Sequence, residues 1–132
     1  MAAEIPLGFM DLLTRKKALA HLAMVLKDGT PQVTPVWFEY SDGRLRFVAQ
    51  TWTMKAKTLR EGSKVAVAIV DPDNPFRYIQ LRGVVESITE EGAEEYVDHL
   101  SMKYFGTPYP YKKPGQERRI FSIRPERVQV LA

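Results

Sequence analysis

Two Asp-Gly pairs, Asp28-Gly29 and Asp42-Gly43, constrain this chain more than any other feature of it. Asp-Gly readily takes the positive φ angles of a tight hairpin turn. Each pair lies between runs rich in apolar and β-branched residues. Strands joined by so short a turn must run antiparallel, because a parallel connection needs a crossover of a dozen or more residues. The spacing therefore predicts a meander of three strands: Ala18 to Leu26, Gln32 to Tyr40, and Arg44 to Gln50. Pro35 lies inside the second. It has no N–H for a ladder, which predicts an edge strand or a bulge there.

The rest of the chain alternates between short strands and short helices. A helix is predicted over residues 6–17, with Pro6 in its first turn and Leu7, Met10, Leu12 and Leu13 on one broad face. Thr53 is a candidate N-cap for a helix from Met54 to Glu61, and Gly62 a stop. Val65 to Val70 is nearly all apolar, as a central buried strand would be. Asp71 to Pro75 reads as a rigid loop, and Tyr78 to Ile88 as a long strand bent at Gly83. A helix follows from Glu90 to Tyr104, with Tyr96, Val97, Leu100 and Tyr104 inward. Residues 106–115 are rich in Pro and Tyr and read as a loop. Arg119 to Leu131 is a last strand, interrupted near Pro125. Six short strands and three helices predict a mainly-β (α+β) antiparallel barrel with flanking helices. At 132 residues the chain is expected to be one domain, 1–132.

Composition removes several classes. There is no cysteine, so disulfides, thiolate metal sites and a Cys nucleophile are excluded. No apolar run approaches the ~20 residues of a membrane span. The basic residues near the N-terminus follow the apolar ones, the reverse of a secretory signal. The chain is expected to be cytoplasmic, with no membrane partner. A net charge of +3 fits ordinary solubility better than nucleic-acid binding, although residues 111–127 hold six Lys/Arg against two Glu. No nucleic-acid partner is expected. His21 and His99 lack the spacing of a metal pair. Walker, GxGxxG and GxSxG motifs are absent.

Four constellations remain. Thr51, Thr53, Lys55 and Lys57 sit where a strand ends and a helix begins, a place that suits an anion: hydroxyls add hydrogen bonds and lysines add compact charge. The same residues also describe a capped helix with a solvated lysine face. Alternation puts Gln32, Thr34 and Val36 on one strand face and Val33, Pro35 and Trp37 on the other. Backbone N–H groups near Pro35 could stabilise charge on a bound ring, or this is an edge strand with a core Trp. Arg77 could reach an anion or stack on a ring, or sit in a rim salt bridge. The aromatic run Tyr104 to Tyr111 fits a lid, a subunit contact, or a loop packed on its own domain. Glu90, Glu91, Glu94 and Glu95 read as a solvated helix face.

These pieces, in this order, resemble the pyridoxamine 5′-phosphate oxidase-like flavoprotein superfamily, and within it the small branch of flavin/deazaflavin-dependent oxidoreductases of type B. The residues carrying the resemblance are HLAMVLKDGTPQVTPVWFEY at 21–40, KAKTLREGSKVAVAIVDPDNPFRYIQLRGVVE at 55–86 and IRPERVQV at 123–130. The resemblance implies an FMN-binding-like split β-barrel, a homodimer, and two cofactor sites at its interface. It implies that Lys55 binds the cofactor phosphate, with Thr51, Thr53 and Lys57 beside it. Pro35, Val36 and Trp37 resemble the strand that lines the ring, with Gln32 and Thr34 as contacts from the same strand. Arg77 and Tyr78 resemble residues that approach the site, from the partner subunit. The implied cofactor is coenzyme F420 or FMN, and the lysines with Arg60 and the 112–127 stretch suit the acidic tail of F420. The implied reaction is hydride transfer to or from a flat conjugated small molecule. The alternative is a non-catalytic flavin or haem carrier on the same fold. Met54 stands where pyridoxamine oxidases commonly have Arg, and the chain is short for their C-terminal extension, so oxidation of vitamin B6 itself is not expected.

Overall fold

The computed structural model describes residues 2–132. A 3-10 turn, Leu7–Phe9, leads into α1 (Met10–Thr14). Seven strands follow with two more helices between them: β1 (Ala20–Val25), β2 (Pro31–Val36), β3 (Glu39–Ser41), β4 (Arg44–Gln50), α2 (Met54–Thr58), β5 (Lys64–Asp71), β6 (Asn74–Thr89), α3 (Ala93–Tyr104) and β7 (Arg118–Leu131). All pairings are antiparallel, in the order β2-β1-β5-β6-β7-β4-β3.

Both Asp-Gly turns form as expected. Gly29 has φ 87°, and Asp42 and Gly43 have φ 53° and 72°, the two successive positive values of a type I′ hairpin. β2 is an edge strand, which is where Pro35 can be accommodated. The strand expected from Gln32 to Tyr40 is, however, two strands. Trp37 and Phe38 interrupt it, and β3 lies at the far edge of the sheet from β2. Phe38 is fully buried. Its N–H donates to the Tyr104 hydroxyl at 3.4 Å, and that hydroxyl donates to the Ala18 carbonyl at 2.6 Å.

This break closes the barrel. Two residues separate β2 from β3 in the chain, yet the two strands are the opposite edges of the sheet. Consecutive Cα atoms lie about 3.8 Å apart, so the sheet must roll until its edges meet near Trp37. Long β6 and β7 carry the curvature. Their register shifts between Arg82 and Gly83, opposite Pro125, and again between Val85 and Ser87. At Gly83 a Cβ would lie 2.1 Å from the Arg124 carbonyl oxygen, so only glycine lets the strands approach there.

One hydrophobic cluster fills the barrel. Alternate residues of β1, β4 and β5 point into it, around Phe38, Leu45, Ile69 and the stacked rings of Phe47 and Phe121, 4.9 Å apart. Three expectations are corrected at the helices and turns. The first helix is a 3-10 turn and a short α-helix, and Leu7 is 89% exposed. The second ends at Thr58, not Glu61. Asp71 to Pro75 is a two-residue turn, since β5 runs to Asp71 and β6 starts at Asn74. In α3, Ala93, Val97, Leu100 and Ser101 are buried, while Tyr96 and Tyr104 are half-buried.

A cleft at the barrel seam

The edge-to-edge seam carries a cleft of about 270 Å³. Pro35, Val36 and Trp37 line it from the end of β2, and Val48, Ala49 and Gln50 from β4. Thr53 and Lys55 close one end, Val97 comes from α3, and Tyr109 and Arg118 from the loop before β7 and its first residue.

Lys55 is the notable group. It is half-buried, and its ammonium makes no hydrogen bond or ion pair with the described residues. Burial holds its pKa below the ordinary lysine value, as desolvation of an uncompensated cation must. Thr53 behaves differently from the expectation of a phosphate donor. Its hydroxyl donates to the Gln50 carbonyl at 2.8 Å and accepts from Ala56 N–H at 3.3 Å. The donor is spent on the turn and one lone pair on capping α2. Since α2 has only five residues, its dipole is slight, and the cations that line the cleft are Lys55 and Arg118.

The aromatic wall is built from two distant segments. Trp37 stacks on Tyr104 at 5.0 Å and 5°, and meets Phe105 at 4.8 Å and Tyr109 at 5.9 Å edge-on. Offset-stacked and edge-to-face contacts of this kind suit the ring quadrupoles. The Pro/Tyr-rich loop thus packs on its own chain. Tyr109 N–H donates to Asp98 at 2.9 Å, and Lys112 pins the same carboxylate at 2.9 Å. Burial pushes the Tyr104 phenol up to about 12.

Arg118 was not singled out by the sequence. Only 6% exposed, it donates to Glu94 at 2.7 Å and to Gln116 at 2.8 Å, and its guanidinium lies 5.5 Å from the Tyr109 ring centre. Its signal was weak: one Arg within a basic stretch, at the head of a strand. Gln50 was missed by one position, directly before Thr51. The helix expected from Glu90 starts at Ala93, and its acidic residues are not simply solvated: Glu94 pairs with Arg118 at 2.7 Å, and Glu90, in the turn before the helix, with Arg119 at 3.1 Å.

Of the residues the sequence nominated, Pro35, Val36, Trp37, Thr53 and Lys55 share this cleft. Gln32 and Thr34 sit further along β2, opposite Met24 and Leu22. Thr51 donates its N–H to the Glu117 carbonyl at 2.9 Å and lies outside the lining. Lys57 is exposed and borders a separate depression with Leu26 and Asp28. Arg77 lies in none of the cleft's walls. It binds Asp11 at 2.7 Å and Asp71 at 2.9 Å, donates to the Gly8 carbonyl at 2.6 Å, and covers the Phe9 ring at 4.8 Å. Tyr78 is half-buried on the outer sheet, opposite Val70 and Leu131. Among the described residues, no group of three or more His, Asp or Glu is placed to hold a metal ion, and no helix is long and apolar enough to cross a membrane.

Residues 10–132 match the family model described as pyridoxamine 5′-phosphate oxidase. Among solved structures, one described as an F420 reductase is 34% identical, with TM-score 0.82 over 95% of this chain and 98% of that one. A conserved hypothetical protein from Mycobacterium tuberculosis is 22% identical, with TM-score 0.74 over 98% of this chain and 86% of its own. HupZ of Group A Streptococcus is 21% identical, with TM-score 0.69 over 97% and 94%. These last two share the fold. No curated protein matches the chain. With the split barrel, its seam cleft and a family match from residue 10 to the last residue, the chain belongs to the pyridoxamine 5′-phosphate oxidase family.

Proposed function

We propose that this protein is an oxidoreductase that binds FMN or coenzyme F420 in the seam cleft and passes a hydride to or from a flat conjugated small molecule. The observation that carries the reading is Lys55: a desolvated, unpaired ammonium at the end of a cleft walled by an aromatic strand. A cofactor with a phosphate and a planar ring matches that donor set. The ring, when bound, supplies the hydride chemistry. This chain's residues do the rest. Lys55 neutralises phosphate charge. Pro35, Val36 and Trp37 face the ring and keep water from one side of it. The F420 reductase relative favours the deazaflavin.

The reading includes a homodimer, which supplies the walls that an open cleft lacks. Its support is a set of exposed apolar side chains on the outer face of the sheet, where Val25, Val33 and Leu131 are 61%, 63% and 50% exposed. Tyr78 lies on that surface next to Leu131, and we assign it to the partner's site. Arg77 is given no such role, because its donors are committed within the chain. Nucleic acid is not part of the reading: four of the six basic residues of 111–127 are paired with carboxylates.

The test is titration of the purified protein with FMN and with F420, followed by fluorescence. Binding of either below about 100 μM, roughly −5.5 kcal/mol, supports the reading, and binding of neither removes it. Steady-state reduction of a quinone or an enone by the loaded protein supports an enzyme. Tight binding without any turnover makes the protein a carrier instead.

A further inference from the structure

Resting on that proposed function, we infer that Arg118 is the second cation of the phosphate corner and that Glu94 competes with the phosphate for it. Lys55 alone is too little. A phosphate monoester such as that of FMN carries about −1.5 to −2 at neutral pH, the phosphodiester of F420 leads into a further acidic tail, and one half-buried ammonium supplies a single charge. The other expected contributors do not supply the missing charge. Thr53 has spent its donor on Gln50, and Lys57 borders a different depression. Arg118 and Lys55 line the same cleft. The Arg118 fork is positioned by Gln116 and by the face of Tyr109, and it uses only part of its five donors. A planar guanidinium on a rigid support is the geometry that reads phosphate oxygens two at a time.

Glu94 gives the corner its particular character. Its carboxylate accepts from Arg118 at 2.7 Å, yet its side chain is 44% exposed while that of Arg118 is 4% exposed. The two partners are unequal: the arginine is fixed in the wall, and the glutamate reaches it from the solvent side. A carboxylate so placed neutralises the buried cation, and when a phosphate takes over that role the carboxylate is rehydrated on its solvent side, so the cation is not left unpaired. It also keeps a favourable place in the first turn of α3, near the helix N-terminus, without its arginine partner. Phosphate binding at Arg118 is therefore an exchange of one anion for another.

The experiment compares FMN with riboflavin, which differ by the phosphate alone, and F420 with its deazaflavin riboside, which differ by the phosphate and the acidic tail. Binding is measured by fluorescence on wild type, Glu94→Gln, Arg118→Met, Arg118→Lys and the Glu94→Gln/Arg118→Met double variant. Glu94→Gln is expected to tighten the phosphate-bearing form roughly 2- to 5-fold and leave the riboside unchanged. Arg118→Met is expected to weaken the phosphate-bearing form roughly 10- to 100-fold, with Arg118→Lys between the two and the gain from Glu94→Gln lost in the double variant. Equal weakening of cofactor and riboside by Arg118→Met, or no effect of Glu94→Gln, overturns the inference while the proposed function stands. Glu94→Gln changes one oxygen on a partly exposed residue, so its result holds even if Arg118→Met folds poorly. Wild type that binds neither cofactor sinks both.

Discussion

Lys55 and Arg77 look alike in the sequence, and the structure makes them opposites. Each is a cation beside a turn, next to aromatic and Thr or Asp residues, and each could equally have been an anion site or a surface ion pair. Arg77 meets two carboxylates, one carbonyl and one aromatic face, and ties the N-terminal turn to the β5–β6 hairpin. Lys55 meets none of these and stays desolvated in a cleft. A buried cation whose donors are all satisfied stabilises a fold. A buried cation left without a counter-charge costs stability, and persists where something else gains from it. Under the proposed function, the difference separates scaffold from site.

The sharpest way to break the comparison is at Asp71. Its carboxylate is almost fully buried, accepts from Lys16 at 2.8 Å and from Arg77 at 2.9 Å, and takes the Asp73 N–H at 2.9 Å. Asp71→Ala strips both cations of a shared partner and is expected to lower the melting temperature by roughly 5–10 °C. Arg77→Met follows the same direction with a smaller drop, since Lys16 still covers Asp71. Neither change should alter cofactor affinity by more than about twofold, within the range of distant, independent sites. Loss of binding with an unchanged melt would move Arg77 from the scaffold into the site. The acid limb checks the same clamp. Hydrogen bonds from Lys16 and the Asp73 amide hold the Asp71 pKa down to about 2, against 3.8 for a free aspartate. A depressed pKa means stability that is present above 3.8 and lost as pH falls toward 2. Acid titration of wild type should show this loss, and Asp71→Asn should flatten it.

Next in size is Lys55 itself. Lys55→Met is expected to weaken FMN or F420 binding by about 1.5–3 kcal/mol, the range for a hydrogen bond to a charged group, measured by fluorescence titration. Unchanged affinity would return Lys55 to the surface and dissolve the contrast with Arg77.

Thr53→Ala is smaller and tests a different assignment. The hydroxyl caps α2 and holds the turn from Gln50. Its loss should cost about 1 kcal/mol of stability in a denaturant melt, typical of a removed N-cap. Cofactor affinity should fall only modestly, through a looser Lys55. An affinity loss matching that of Lys55→Met, with no change in stability, would make Thr53 a phosphate donor after all.

What the sequence made legible follows the same line between local and distant causes. The Asp-Gly turns, the strand from Arg44 to Gln50 and the Thr53 cap depend on neighbours within a few residues, and they appear where expected. The break at Trp37 and Phe38 could not be read, because it depends on a hydroxyl 66 residues away at Tyr104 and on closure of the sheet. The overlong first helix has a similar origin: Lys16 leaves the helical path toward Asp71, 55 residues on. In the cleft, Pro35 to Trp37 and Lys55 come together, and local pattern had marked each of them. Arg118 was hidden because its place in the cleft comes from the β4–β7 register that sets it opposite Gln50. Arg77 was left between two readings because both carboxylates that decide it come from elsewhere in the fold.

The smallest effect asks whether the Lys55 charge costs the fold anything by itself. Burial lowers its pKa below the 10.5 of a free lysine, so the folded state binds this proton less readily than the unfolded chain. Between the folded value and 10.5 the unfolded state holds more protons, and stability rises with pH. The penalty is thus fully present at neutral pH and disappears above 10.5. Lys55→Met removes it at every pH, and should match or exceed wild type in a urea melt at pH 7 by a few tenths of a kcal/mol, the scale of most single-site surface changes. The gap should close as the two proteins are compared at increasingly alkaline pH. A Lys55→Met protein that is less stable than wild type at pH 7 would mean that the ammonium has a stabilising partner in solution, and the line between Lys55 and Arg77 would have to be drawn elsewhere.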